Sequence, residues 1–269
     1  VLVDNIAMLY DKGAIRAALL VAPKGVYKNW DDIEFPVHMP DHIEYSKILW
    51  EPKNTQTKLK ELETLLDGKE ELKILIMNVE ALSTPKGLDF AQRFLNIFVG
   101  KALIGIDEST TIKTPTAIRT QNILKIGNLA KYRRILTGSP VTKSPLDLFS
   151  QCKFLDPYHL GYDNYTTFKN RYAEIKHEWF GGRQVPVVVG YRHLDELTEK
   201  LDGFSYRVLK EDCLDLPDKV FTRRIVELTD EQKKAYDQMK QMALAMLDSG
   251  EVMSTVNVMT QLMRLHQIT

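Results

Sequence analysis

The ten residues Lys101-Ala102-Leu103-Ile104-Gly105-Ile106-Asp107-Glu108-Ser109-Thr110 constrain this chain more than any other stretch. A short apolar run ends abruptly in two carboxylates. With helical patterns on both sides, a run this apolar reads as a central parallel strand buried on both faces. Acids at its carboxyl end then lie where open α/β sheets bind their ligands. On its own, the same pattern also fits a strand that closes in a solvated acidic turn. The remainder of the chain has to decide between the two.

The order of elements favours the first reading. Residues 1–11 carry Leu2, Ile6, Ala7 and Leu9 on one helical face and stop near Lys12-Gly13. Ala17–Val21 is an apolar strand that breaks at Ala22-Pro23-Lys24-Gly25, before a short helix holding Trp30. His42–Leu49 and Leu72–Asn78 are further strands, with a helix at Gln56–Leu66 between them whose Leu59, Leu62, Leu65 and Leu66 form a core stripe. Residues 88–99 are helical, and then comes the 101–106 strand. A helix over Ala117–Leu129, a strand at Arg133–Leu136 and a helix over Leu146–Phe154 complete the series. Such alternation implies right-handed βαβ units, hence a parallel sheet with helices on both faces.

After Asp156-Pro157 the character changes. Tyr158, Tyr162, Tyr165, Phe168, Tyr172, Trp179 and Phe180 crowd one region, and Gly181-Gly182 marks a hairpin before Val185–Val189. These aromatics read as a small core of their own rather than as base-stacking platforms. Lys219–Leu228 reads as an extended strand. Thr229-Asp230-Glu231-Gln232 is an N-terminal helix signal, and Ala235, Met239, Met242 and Met246 follow as an apolar stripe. A second helix is expected over Val256–Ile268. The organisation is therefore residues 1–155 as an α/β lobe, 156–215 as an accessory or connecting region and 216–269 as the start of another lobe.

Composition excludes several classes. Thirty-six basic residues balance thirty-six acidic ones, so there is no global pull toward nucleic acid, although a local basic surface is allowed. Two cysteines without a CxxC, and six scattered histidines without an HExxH, argue for a reducing compartment and against structural zinc. No run reaches the roughly 20 apolar residues of a membrane-spanning helix. The amino end carries acids inside its apolar stretch, unlike a signal peptide. An intracellular, soluble protein is expected, cytoplasmic if bacterial or phage and nuclear if eukaryotic. Neither terminus shows a helix cap or stop signal, so both are expected to be interior to a longer protein.

Several motifs stand in one order. Leu20-Val21-Ala22-Pro23 ends the first strand, Asp107-Glu108-Ser109-Thr110 the central one, and Leu136-Thr137-Gly138-Ser139-Pro140 the next, followed by Leu146-Asp147-Leu148 and a helix. Arg207-Val208-Leu209-Lys210, Leu216-Pro217 and Leu228-Thr229-x-x-Gln232-x-x-x-Tyr236 come last. In this combination the chain resembles the superfamily 2 helicase-like ATPases, and within them the Swi/Snf-type DNA translocases. The resemblance covers nearly all of 1–155 and 204–269 and is weakest over 158–200. It implies a RecA-like P-loop NTPase lobe, ATP and Mg²⁺ as cofactors, and double-stranded DNA as partner. The intact parent protein is then an ATPase that moves on DNA, and this segment alone is inactive.

The resemblance also assigns residues. Asp107 is the Mg²⁺-holding catalytic acid and Glu108 the water-orienting one. Thr137, Gly138 and Ser139 couple nucleotide state to DNA contact, and Lys24, Lys28 and Lys113 touch the nucleic acid. Because Thr137 ends the strand beside the acidic turn, its hydroxyl is expected within one hydrogen bond, direct or through water, of Asp107-Glu108. Trp30 is expected to pack. Two departures stand out. No glycine-rich GKT loop occurs in residues 1–269, so the resemblance places it upstream of Val1; the arginine finger would lie beyond Thr269. The DEST box replaces the DEAH form common in the family, which leaves its contact to the Thr137 segment to be found. A strand-separating DNA or RNA helicase of the same superfamily, and a non-catalytic nucleic-acid-binding scaffold with a decayed nucleotide site, remain open.

Overall fold

The computed structural model describes residues 1–51, 55–67, 71–213, 215, 217, 220–248, 260, 263, 264, 266 and 267. Five parallel strands, β1 (Ala17–Ala22), β2 (Tyr45–Leu49), β3 (Leu72–Asn78), β4 (Ala102–Ile106) and β5 (Tyr132–Ile135), form one sheet in the order β2-β3-β1-β4-β5. The three inner strands are apolar apart from Lys73 and Asn78 of β3, because both of their faces are covered. Residues alternate strictly between the two covers. Ala17, Leu19 and Val21 of β1, Leu75 and Met77 of β3, and Ala102, Ile104 and Ile106 of β4 join one core. It is closed by Leu62, Phe90, Phe94, Leu95, Ile123, Ile126 and Phe154 from four helices. Ala18, Leu20, Ala22, Ile74, Ile76 and Leu103 face the other side, against Leu2, Val3, Ile6 and Ala7 of the Leu2–Asp11 helix and against Tyr27, Trp30 and Phe35.

Two glycines set how closely the layers approach. A Cβ on Gly105 would come within 2.8 Å of Leu2 Cδ2, so its hydrogen lets the first helix lie on β4. A Cβ on Gly87 would meet the Ala81 carbonyl oxygen at 2.2 Å, a contact that backbone cannot relieve cheaply. Gly87 sits in the first turn of the Pro85–Ile97 helix, whose start is capped by Thr84: its hydroxyl accepts the Gly87 N–H at 3.1 Å. That cap and Pro85 begin the helix three residues before the expected start at 88.

The chain divides into two compact units, Val1–Tyr206 and Arg207–Thr269. Within the first, the aromatic region builds its own core from Leu160, Phe168, Tyr172, Ala173 and Leu197, joined by Leu146, Leu148, Phe149 and Cys152. The expected hairpin is present as β6 (Ala173–Phe180) paired antiparallel with β7 (Arg183–Tyr191). Gly181 and Gly182 both have positive φ, as a two-residue primed turn requires.

In the second unit, the helix Asp230–Asp248 starts with a reciprocal cap. The Gln232 N–H reaches the Thr229 hydroxyl, and the Gln232 side-chain oxygen accepts the Thr229 N–H at 3.0 Å. The reading of 219–228 as a strand is not met. Residues 220–229 join no sheet among the described residues, and Val220, Phe221, Ile225 and Val226 are exposed, because no neighbouring strand is at hand to pair with. On the Asp230–Asp248 helix Ala235 is exposed and Met239 only half-buried. The side chains of Leu65, Leu66, Met242 and Met246, and most of the helix expected over 256–268, lie outside the described residues.

Candidate functional site

A parallel sheet brings the carboxyl ends of all its strands to one edge, and the register fixes what meets there. Ala22 lies beside Asn78, Val21 beside Ile106, and Ile106 beside Ile135. The turns that follow, Pro23–Val26, Asp107-Glu108 and Leu136–Pro140, therefore share the edge. Asp107 continues the ladder by one bond, its N–H donating to Val21 O at 2.8 Å.

The Asp107 carboxylate is half-buried and held at both oxygens. Trp30 Nε1–H donates to Oδ2 at 2.8 Å, and the Glu108 amide donates to Oδ1 at 2.9 Å. Trp30 does pack as expected, against Phe35 with ring centroids 6.0 Å apart. Its additional role as donor to the acid was missed. The signal was available, since a buried indole N–H nearly always finds an acceptor. Glu108 is exposed and left-handed, with φ 48° and ψ 57°. A non-glycine residue in that region carries strain that persists only where its surroundings impose it, and such residues cluster at functional sites.

Ser109 supplies the imposition. Its N–H donates to Leu136 O at 3.0 Å, which joins the acidic turn to the end of β5. Its hydroxyl, fully buried, donates to Gln151 Oε1 at 2.7 Å. Gln151 is also fully buried and spends both amide protons, one on Pro140 O and one on Asp147 O, each at 2.8 Å. The direct link between the acidic box and the loop after β5 thus runs through Leu136, Ser109 and Gln151. The Thr137 hydroxyl is used locally, accepting the Ser139 N–H at 3.2 Å, and the Ser139 hydroxyl donates to Val141 O at 2.9 Å. Thr137 makes no direct bond to the Asp107-Glu108 turn among the described residues, because its oxygen is taken by the Ser139 N–H of its own loop.

Asp147 closes that loop. Its carboxylate accepts the amides of Thr142 and Lys143 at 3.1 and 2.9 Å and the Thr142 hydroxyl at 2.8 Å. Burial works to raise its pKa, but the Lys143 and Thr142 donors and the Lys113 ammonium outweigh this and hold it below the usual carboxylate range. Lys113 Nζ lies 3.7 Å from Asp147 and also bonds Thr142. It is thus engaged inside the loop. Lys24 and Lys28 are exposed, and neither has an ion-pair partner among the described residues.

Asp107 suits Mg²⁺ in one respect. Each of its oxygens keeps a lone pair after its hydrogen bond, and Mg²⁺ is ordinarily bound by one or two carboxylates together with substrate phosphates and water. No group of three or more His, Cys, Asp or Glu side chains converges among the described residues. The donor set fits an ion shared with a nucleotide, and does not fit an all-protein cage.

Comparisons with known proteins bear on the family and the fold. The sequence profile of the SNF2-related domain matches residues 2–269. "Uncharacterized ATP-dependent helicase MG018" of Mycoplasma genitalium is 26% identical over 93% of this chain and 21% of its own length. "DNA annealing helicase and endonuclease ZRANB3" of Bos taurus is 34% identical over 44% of this chain and 11% of its own length. "TATA-binding protein-associated factor MOT1" of Saccharomyces cerevisiae is 32% identical over 49% of this chain and 7% of its own length. Among solved structures, the "Sulfolobus solfataricus SWI2/SNF2 ATPase core in complex with dsDNA" superposes with a TM-score of 0.52 at 24% identity. It covers 97% of this chain and 49% of that one, a likeness of fold. The chain thus spans between 7% and 21% of these curated relatives' length and about half of the solved core.

Proposed function

The chain belongs to the SNF2-related domain family, and from that premise we propose that it is a lobe and connecting segment of an ATP-driven motor that moves along double-stranded DNA. The observation that carries the reading is the acidic turn itself. Asp107 is oriented at both oxygens, and Glu108 projects beside it in a strained, exposed conformation at the ligand-binding edge of the sheet.

Asp107 would hold Mg²⁺, which when bound with ATP would supply charge neutralisation to the phosphates. The Trp30 indole keeps the carboxylate pointed at the edge and shields it from rotating toward solvent. Glu108 orients the attacking water and accepts its proton. Thr137, Gly138 and Ser139, in the loop that starts beside this turn, carry the nucleotide state to the DNA-facing surface. Lys24 and Lys28, on the loop after β1, touch phosphates without reading bases. Residues 1–269 contain no GKT loop, and the resemblance places the arginine finger outside them, so by themselves they are expected not to turn over ATP. Residues 156–215 act as an accessory and connecting region, and 216–269 open the next lobe.

The test is Glu108→Gln in the parent protein. ATP binding is retained and steady-state hydrolysis falls at least ~10²-fold, the usual contribution of a positioned base. Turnover near that of the unchanged protein removes Glu108 from the chemistry, whereas an unchanged parent protein that hydrolyses no ATP favours a nucleic-acid-binding scaffold.

A further inference from the structure

We infer that Gln151 is a positioning residue of the motor: through the Ser109 hydroxyl it sets the acidic turn, and through its amide protons it sets the loop after β5, so that the two move as one piece. The inference rests on the ATPase reading above but names residues which that reading does not use.

The geometry leaves Gln151 a single orientation. Two carbonyl oxygens, of Pro140 and Asp147, face one end of its amide at 2.8 Å each. Only the nitrogen end can satisfy two acceptors, so the oxygen end faces Ser109. Ser109 must then donate, as its 2.7 Å contact requires. Both side chains are fully buried, so water cannot replace either bond. A partner left unpaired in such a site bears its whole desolvation cost.

What the pair joins gives the link its consequence. Ser109 follows Glu108 directly, and its main-chain N–H is already fixed to Leu136 O. With backbone and hydroxyl both held, Ser109 keeps Glu108 in its left-handed conformation. On the other side, Pro140 belongs to the loop that leads to exposed Val141, Thr142 and Lys143, and Asp147 holds Thr142 and Lys143 by three hydrogen bonds. A displacement of the acidic turn therefore reaches Thr142 and Lys143 through the side chains of Ser109, Gln151 and Asp147. The Thr137 hydroxyl, turned into its own loop, does not make this connection.

The experiment compares Ser109→Ala, Gln151→Leu and the double variant with the unchanged parent protein. ATPase is measured with and without double-stranded DNA, melting temperature alongside, and amide exchange over residues 105–112 and 137–147 with and without a non-hydrolysable ATP analogue. Each single variant is expected to cut DNA stimulation of the ATPase by ~10-fold, a coupling loss within the ordinary range for linked sites, and to lower basal hydrolysis by a smaller factor, because the Ser109 N–H stays on Leu136 O and still holds the acidic turn. Exchange should rise in both segments together. The double variant, which removes donor and acceptor as a pair, recovers melting temperature relative to Gln151→Leu but not DNA stimulation. Recovery of stability and stimulation in parallel shows a purely structural pair and overturns the inference. So does exchange that rises in only one segment, or in neither. A parent protein that hydrolyses no ATP sinks the motor reading alone; the exchange arms still decide whether Gln151 joins the two segments.

Discussion

The sheet of the first unit and its aromatic region, residues 156–204, both bury complete cores, yet they do so by different physics. In β1, β3 and β4 nearly every side chain is apolar and covered, and the alternation between faces decides which core each joins. In the aromatic region, Phe168 and Tyr172 are fully buried with ring centroids 4.8 Å apart, but the cluster is rimmed by one charged hub. Glu196 accepts the Tyr172 hydroxyl at 2.9 Å, receives Arg171 on its other oxygen, and lies 3.5 Å from Lys200. The sheet's register follows from local pattern. The aromatic region depends on a pairing between positions 24 apart in sequence. Stability of the first is thus chiefly apolar, and that of the second is partly electrostatic.

The contrast breaks most readily at Phe168. Phe168→Ala removes a fully buried ring and is expected to cost about 3–5 kcal/mol. Amide exchange in the first unit should rise over 156–204 and stay slow in β1, β3 and β4. Equal loss of protection in the sheet strands makes the two cores one cooperative unit and ends the comparison. A smaller effect of unexpected sign sharpens it from the other side. Gly87→Ala lies inside a helix, where alanine is normally preferred by about 1 kcal/mol. Here the added methyl meets the Ala81 carbonyl oxygen, and a net loss of about 1–3 kcal/mol is expected. Thermal melting checks it; a stabilised variant means the backbone around Ala81 gives way.

This difference also explains what could be read from residues alone. The apolar runs of β1, β3 and β4, the acidic box and the cap at Thr229 are local signals, and the strands they predicted lie within a few residues of those observed. Ser109–Gln151, 42 residues apart, and Trp30–Asp107, 77 apart, are tertiary pairings of side chains that look ordinary in their own segments. Gln151 sits in a helix among Phe149, Cys152 and Phe154. Nothing nearby reveals that its amide is the polar centre of a buried contact. The extended 219–228 segment failed for a related reason, since strand propensity is realised only against a partner.

The smallest expected effect is the one that depends on pH. Arg171 first, then the Tyr172 hydroxyl, with Lys200 adding to them, hold the Glu196 carboxyl down to about 2 despite partial burial. A group whose folded value is depressed contributes stability above its unfolded value, and that contribution fades as pH falls toward the folded one. The window therefore runs from the ordinary carboxylate range, near 4.5, down to about 2. Tyr172 works in the opposite sense. Burial first, then its bonds to Tyr162 and Glu196, push its phenol up, so its contribution holds below the ordinary tyrosine range and is lost as pH rises through it. The aromatic region should accordingly soften at both ends of the pH scale while the sheet does not. Glu196→Gln keeps an acceptor for Tyr172 but has no charge to titrate. Tryptophan fluorescence of Trp179 reports the hairpin attached to this region, whereas Trp50, buried on Phe90, reports the sheet core. With single-tryptophan variants, Trp179 should show an acid transition between pH 4.5 and about 2 that Glu196→Gln abolishes, and Trp50 should show none in that range. An acid transition common to both probes, or one unchanged by Glu196→Gln, places the pH sensitivity outside the Glu196 hub.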